Sequence, residues 1–301
     1  MKVFVAGATG ALGRQLVPRL VANGHDVTGM TRTESKRDLV RSLGARPAVA
    51  DALDPDAVAQ AVAEAEPDVI VHELTGLSGS FDMRHIDRVF ELTNRLRTEG
   101  TDHLLAAGRA VGARKFVAQS FAGYTIENDP PEQLRGLLDA IRYLEDAVTS
   151  IDWGEGIVLR YGGFYGPGTS LSADPQADFT APIRKRRFPV VGSGDGTWSF
   201  IHIEDAATAT VAAVEHGKPG IYQVTDDEPA PVREWLPVLA RELHAKPPRH
   251  VPKWLGRLLA GETATVMMTE VRGASNEKAK RELGWRPRYA SWRQGFAEGL
   301  G

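Results

Sequence analysis

At 301 residues the chain is too long for one small core and suits a large α/β domain carrying a smaller lobe. A formal net charge of −3 and a pI near 6.3 exclude the basic balance that nucleic acid or an anionic membrane selects, and the absence of cysteine excludes disulfides, thiolate nucleophiles and cysteine-held metal or iron–sulfur centres. The apolar run before Gly7 is short of the roughly 7–15 residues of a secretory leader, and no stretch reaches the ~18 that cross a bilayer. A cytoplasmic protein acting on a small-molecule substrate, with no nucleic-acid or membrane partner, is expected.

In chain order, Lys2–Ala6 predicts the first strand and residues 12–23 the first helix. Strands follow at 26–30, 46–50, 69–73, 115–119 and 156–161, with helices at 56–65, 88–111 and 131–150. Gly24 and Gly112 stand where left-handed helix caps belong. Short, nearly continuous apolar runs alternating with amphipathic segments predict βαβ units: a Rossmann-type, doubly wound parallel sheet covered on both faces. Beyond residue 162 the pattern loosens around Gly166-Pro167-Gly168 and the glycines at 192, 194 and 196. Strands at 200–203 and 221–224 and helices at 232–243 and 276–283 make a smaller C-terminal α/β lobe. The predicted division is a dinucleotide-binding part, 1–162, and a substrate lobe, 163–301, interleaved with it.

The strongest motif is Gly7-x-x-Gly10-x-x-Gly13, with Thr9, Ala11 and Leu12 between its glycines, set between the first strand and the first helix. The glycines serve a tight turn, close approach of backbone to a diphosphate, and helix–strand packing, while the helix N-terminus offers N–H groups to phosphate. The second strand runs into Met30-Thr31-Arg32-Thr33-Glu34-Ser35-Lys36. Thr31 stands where an acid would bind ribose hydroxyls, Arg32 can fork onto a 2′-phosphate, and Lys36 adds a point charge. The pattern predicts NADP(H), with NAD as the alternative. Asp51, followed by Ala52, is placed to accept from the adenine amino group or to cap a helix, and Leu74 follows the fourth strand.

Further motifs follow in order: Val71-His72-Glu73-Leu74, Gly100-Thr101, Val117-Ala118-Gln119-Ser120 with Tyr124 four residues on, Leu159-Arg160, Tyr165-Gly166-Pro167-Gly168, Phe200-Ile201-His202, and Leu283-Gly284-Trp285-Arg286-Pro287. With the phosphate loop, they resemble the short-chain dehydrogenase/reductase superfamily in its extended, epimerase/dehydratase-like branch. The resemblance implies a Ser or Thr working with a Tyr-x-x-x-Lys that exchanges a proton with the substrate oxygen. Ser120 matches the serine. Alignment through Glu145 places Leu137 and Ile141 at the tyrosine and lysine, and no Tyr-x-x-x-Lys exists anywhere in the chain. Arg97 also replaces a customary asparagine.

Tyr124 is therefore the candidate substitute acid, or else a lining residue. Tyr143 should face away from the site. His85, Tyr165 and Trp198 are the candidates to line the substrate pocket, His85 being otherwise a solvated surface residue and Trp198 otherwise packed beneath the pocket, and His202 is expected to be structural. Glu73 is either a buried acid with a raised pKa or a backbone cap. The run Arg184-Lys185-Arg186-Arg187 contacts a phosphate or is a solvated face. The resemblance also implies a homodimer built on helices 88–111 and 131–150. Three functions remain: an NADP(H)-dependent oxidoreductase reducing a small carbonyl, imine or activated alkene; a redox-neutral epimerase, dehydratase or cyclase retaining its nucleotide; and a non-catalytic NADP(H)-sensing or partner-binding module.

Overall fold

The computed structural model describes residues 1–77, 83–122 and 129–301. Seven strands, β1 (Lys2–Ala6), β2 (Asp26–Thr31), β3 (Arg46–Val49), β4 (Val69–His72), β5 (Lys115–Phe121), β6 (Glu155–Tyr161) and β7 (Gly220–Val224), form one parallel sheet. Their order is β7-β6-β5-β4-β1-β2-β3. Strands the sequence predicts agree to within one or two residues at each end.

The helices are α1 (Ala11–Ala22), α2 (Arg37–Ser42), α3 (Pro55–Ala65), α4 (Ile86–Ala110), α5 (Glu132–Thr149) and α6 (Ile203–His216). Alternate strand residues feed opposite faces, as the pleat requires. Val3, Val5, Val69, Val71 and Val117 pack with α1 and α6, while Phe4, Ala6, Ile70, Phe116 and Ala118 pack with α3, α4 and α5. Both sets are apolar, which is why the strands read as continuous rather than alternating. Gly24 (φ 81°) and Gly112 (φ 71°) take the left-handed conformation that ends α1 and α4.

After residue 162 the chain crosses back into the large sheet: β7 pairs with β6, and α6 packs on α1. The strand predicted at 200–203 stops at His202, whose Nδ1 accepts the Glu204 N–H at 3.2 Å and caps α6. Trp235, Trp292, Tyr165, Phe200 and Phe296 form the core of the C-terminal lobe. Helices there are Thr180–Arg184, Val232–Glu242, Lys253–Thr269, Glu277–Glu282 and Trp292–Glu298, the fourth near the predicted 276–283. Lys253–Thr269 escapes sequence reading because it is two helical pieces joined at Gly261 (φ 89°), and its first turns expose Trp254 and Leu258. Among the described residues, no helix is long and apolar enough to cross a membrane, and no three metal-binding side chains cluster.

Candidate functional site

β1 and β4 are neighbours whose connections leave toward opposite edges of the sheet, so a crevice opens beyond their C-terminal ends. The phosphate loop lies there. Gly7 turns at φ 100°, and its carbonyl accepts the Gly10 N–H at 3.0 Å. A Cβ on Gly7 would stand 2.7 Å from the Glu73 carbonyl, and one on Gly13 would stand 2.3 Å from the Gly7 carbonyl. At Gly10 a Cβ would meet nothing closer than 3.3 Å. Gly10 is the N-cap of α1 and brings no capping side chain, so the first-turn N–H groups are left for a ligand. Thr9 contributes its carbonyl, which accepts from Arg14 Nε at 3.0 Å and holds the loop on the first turn. This cradle fits a dinucleotide diphosphate at the backbone of Ala11, Leu12 and Gly13.

At the adenosine end, Thr31 is buried and its hydroxyl has no partner among the described residues. Glu34 pairs with Arg37 at 3.1 Å and Asp38 with Arg41 at 2.7 Å. Arg32 and Lys36 are exposed and keep no counter-charge among the described residues. One Asp51 oxygen accepts the Leu53 N–H at 3.0 Å. The helix cap it was offered is taken by Asp54, whose Oδ1 accepts from Asp56 and Ala57 at 3.1 Å each. Ala52 is buried, its carbonyl accepting from His103 Nδ1 at 2.9 Å.

Behind this crevice His72 is buried and neutral. Its Nδ1 accepts the Leu74 N–H at 3.2 Å, so Nε2 carries the proton and donates to Thr101 Oγ1 at 3.1 Å. Burial pulls its pKa down from 6.5 to about 4. The unfolded chain therefore takes up this proton first, and the contribution, complete above about pH 6.5, is lost as pH falls toward 4. Near pH 5 the loss should reach about 2 kcal/mol. Glu73 and Asp226, with raised pKa values, titrate in the opposite sense. The His72 part is hence read as the difference in urea midpoints between wild type and His72→Gln, and a difference that does not change between about pH 7 and 5 would refute it.

Beside β5 the arrangement departs from expectation. Ser120 is buried, and its hydroxyl donates to Glu145 Oε1 at 2.6 Å. Arg160 Nε donates to the same oxygen at 2.7 Å and Nη2 to the other. Burial alone would lower the charge of such a guanidinium, but hydrogen bonding to Glu145 is the larger effect and raises its pKa. Leu137 and Ile141 lie against Ile86 and Phe90. A cleft of about 270 Å³ opens alongside, bounded by Phe121, Ile141, Glu145, Arg160, Gln223 and Ser275.

Tyr124 lies outside the described residues. Tyr165 is corrected: it is fully buried, its ring 5.2 Å from those of both His202 and Phe296, so it belongs to the lobe core and not to an open pocket. Trp198 is half-buried against Trp235 and donates to the Met267 carbonyl at 2.8 Å. His85 is exposed at the start of α4. Tyr143 points away and donates to Asp102 at 2.7 Å. Among the described residues Glu73 caps no backbone group: it is a buried acid whose pKa burial pushes well up. Sequence reasoning missed the Ser120–Glu145–Arg160 group, although Ser120 and Arg160 stand in quoted motifs and Glu145 anchors the alignment.

Comparison with known proteins agrees with this geometry. Residues 7–163 match an NAD(P)H-binding family, and residues 140–225 match the NAD dependent epimerase/dehydratase family. The chain is 43% identical to a 3-diazoavenalumate denitrifying reductase of a Streptomyces species, over 98% of this chain and 99% of that one. It is 27% identical to a 4-hydroxy-2-methyl-3-oxo-4-farnesyl-3,4-dihydroquinoline-1-oxide ketoreductase of Stigmatella aurantiaca, over 95% and 92%. Its fold is that of the Thermus thermophilus UDP-glucose 4-epimerase complex with NAD (TM-score 0.74, 24% identity, 100% and 98% covered). A human epimerase family protein with NADPH is similar too (TM-score 0.74, 19% identity, 100% and 99% covered).

Proposed function

The chain belongs to the NAD(P)-binding short-chain dehydrogenase/reductase superfamily, on its epimerase/dehydratase-like side, and from that premise we propose that it is an NADP(H)-dependent reductase of electrophiles that need no proton relay from the enzyme. The observation that carries this reading is the Ser120–Glu145 contact, taken with the sequence alignment. Alignment through Glu145 puts apolar Leu137 and Ile141, which pack with Ile86 and Phe90, in the places of a tyrosine–lysine pair, and the Ser120 hydroxyl is already committed to Glu145. When bound, the nicotinamide supplies a hydride.

Reduction of a ketone needs that hydride and also a proton on the oxygen. An aryl diazonium differs: hydride forms the new C–H bond, the C–N bond breaks with its electron pair leaving as N₂, and NADPH becomes NADP⁺. No protein proton is consumed. The name of the 43% relative is consistent with this chemistry. Ketone reduction is the second reading, favoured by the ketoreductase relative and requiring a proton from Tyr124 or water.

The residues of the chain would then bind and orient. Ala11, Leu12 and Gly13 hold the diphosphate, and Arg32 with Lys36 the 2′-phosphate. The test is to incubate the protein with NADPH and an aryl diazonium carboxylate, following NADPH absorbance and N₂ release. Loss of NADPH matched one for one by release of N₂ supports the reading. NADPH oxidation only with ketones would favour the second, and turnover without net oxidation would point to redox-neutral chemistry.

The cofactor preference has its own prediction. Arg32→Ala should weaken NADPH binding about 10–100-fold, the size of a lost charge-assisted hydrogen-bond pair, and leave NADH within about twofold. Titration calorimetry checks it; equal loss for both nucleotides would rule out 2′-phosphate recognition by Arg32.

A further inference from the structure

Glu73 directly follows β4 and lies against the phosphate loop, where a Cβ on Gly7 would be 3.3 Å from the Glu73 Cβ. The residue is only 5% exposed and lies in the sheet face that packs on α1 and α6. The sole side chain bonded to it among the described residues is Tyr161, whose hydroxyl lies 3.3 Å from Oε1; Oε2 has no partner. The protons of this group can be counted. Thr210 Oγ1 gives its hydrogen to the Ala206 carbonyl at 2.7 Å, one turn back on α6. It must therefore accept from Tyr161 at 2.6 Å. That contact uses the single phenolic hydrogen. The remaining contact between Tyr161 and Glu73 is a hydrogen bond only if Glu73 is the donor.

We propose that Glu73 is a cofactor-positioning residue that works as an un-ionised carboxylic acid, donating through Tyr161 and Thr210 to brace the Gly7 turn while placing no negative charge beneath the dinucleotide diphosphate. A carboxylate in that position would oppose the diphosphate across a buried, weakly screened gap. Burial pushes the Glu73 acid and the Tyr161 phenol in the direction that keeps both protons in place. No ion pair reaches Glu73 from β1, β6 or α6 among the described residues. The inference concerns the dinucleotide site and holds whichever electrophile is reduced.

The test is infrared spectroscopy of the cofactor-free protein near neutral pH, with ¹³C-labelled glutamate. Burial shifts the Glu73 carboxyl upward, and labelling glutamate separates its band from those of the raised Asp205 and Asp226. A carbonyl band of a protonated glutamic acid is expected, absent in Glu73→Gln and displaced when NADPH is added. Calorimetry should then find Glu73→Gln within about threefold of wild type for NADPH, and Glu73→Ala at least about tenfold weaker. A missing glutamic-acid band, a band that NADPH leaves unmoved, tighter binding by Glu73→Gln, or wild-type binding by Glu73→Ala would each overturn the proposal. The labelled wild-type spectrum decides even where a variant fails to fold.

Discussion

Gly13→Ala is expected to abolish NADPH binding, by at least about 100-fold, and to lower stability by about 1–3 kcal/mol, the cost of overpacking a filled interface. The added Cβ would sit 2.3 Å from the Gly7 carbonyl oxygen and 2.6 Å from the Ala8 carbonyl carbon and oxygen. Both contacts are with backbone, so no rotamer relieves them. Either α1 retreats from β1 or the loop opens. The first choice uncovers Leu12, Leu16, Val17 and Leu20, all buried against the sheet. The second withdraws the N–H groups that would meet the diphosphate.

Gly10→Ala separates the two roles within the same loop. Its backbone is extended (φ −72°, ψ 173°), and a Cβ there meets only the Gly7 carbonyl at 3.3 Å. The fold should absorb it within about 0.5 kcal/mol, the usual range for an exposed site, while the methyl occupies space the diphosphate needs and weakens NADPH by about tenfold or more. Thermal unfolding and titration calorimetry on the two variants give the comparison. NADPH binding by Gly13→Ala at wild-type strength would show that the loop does not hold the dinucleotide.

What could be read from the sequence, and what could not, follows the range of the interactions. The phosphate loop was legible because its requirements are local: three glycines at fixed spacing, a strand before them and a helix after. The doubly wound sheet was legible because strands buried on both faces must be apolar throughout. Arg32 and Lys36 were legible as cations, but their freedom rests on Glu34 and Asp38 pairing instead with Arg37 and Arg41 on the following turns. The tertiary contacts were not legible. Tyr165 reads as a pocket residue from its Tyr-Gly-Pro motif, yet Phe296, far along the chain, covers it. Glu73 left two readings open because the choice lay with Tyr161 on another strand and Thr210 on another helix. Ser120 reads as a reacting-oxygen ligand until Glu145, 25 residues on, accepts its hydrogen bond.

That last contact sets the second large effect. Glu145→Ala should cost about 2–3 kcal/mol, somewhat below the 3–5 of a fully buried pair, because the Arg160 side chain is one-third exposed and water can take up part of its charge. The carboxylate accepts from both Arg160 nitrogens and from Ser120, so its removal leaves a half-buried guanidinium and a buried hydroxyl without their acceptor. Ser120→Ala removes one of those bonds and keeps the ion pair, and should cost only about 1 kcal/mol. In the double variant the Ser120 substitution should cost almost nothing further, because its acceptor is already gone. Denaturant unfolding of the four proteins measures this cycle. The same variants decide the role of the serine in turnover. If Ser120 is a strut for Glu145, kcat/KM of Ser120→Ala stays within about threefold of wild type, and the loss appears in stability. If the hydroxyl instead leaves Glu145 to bind a reacting oxygen, turnover falls by about 100-fold or more while stability hardly changes. That second pattern would return Ser120 to the catalytic position that its motif suggests, and with it the case for a carbonyl substrate.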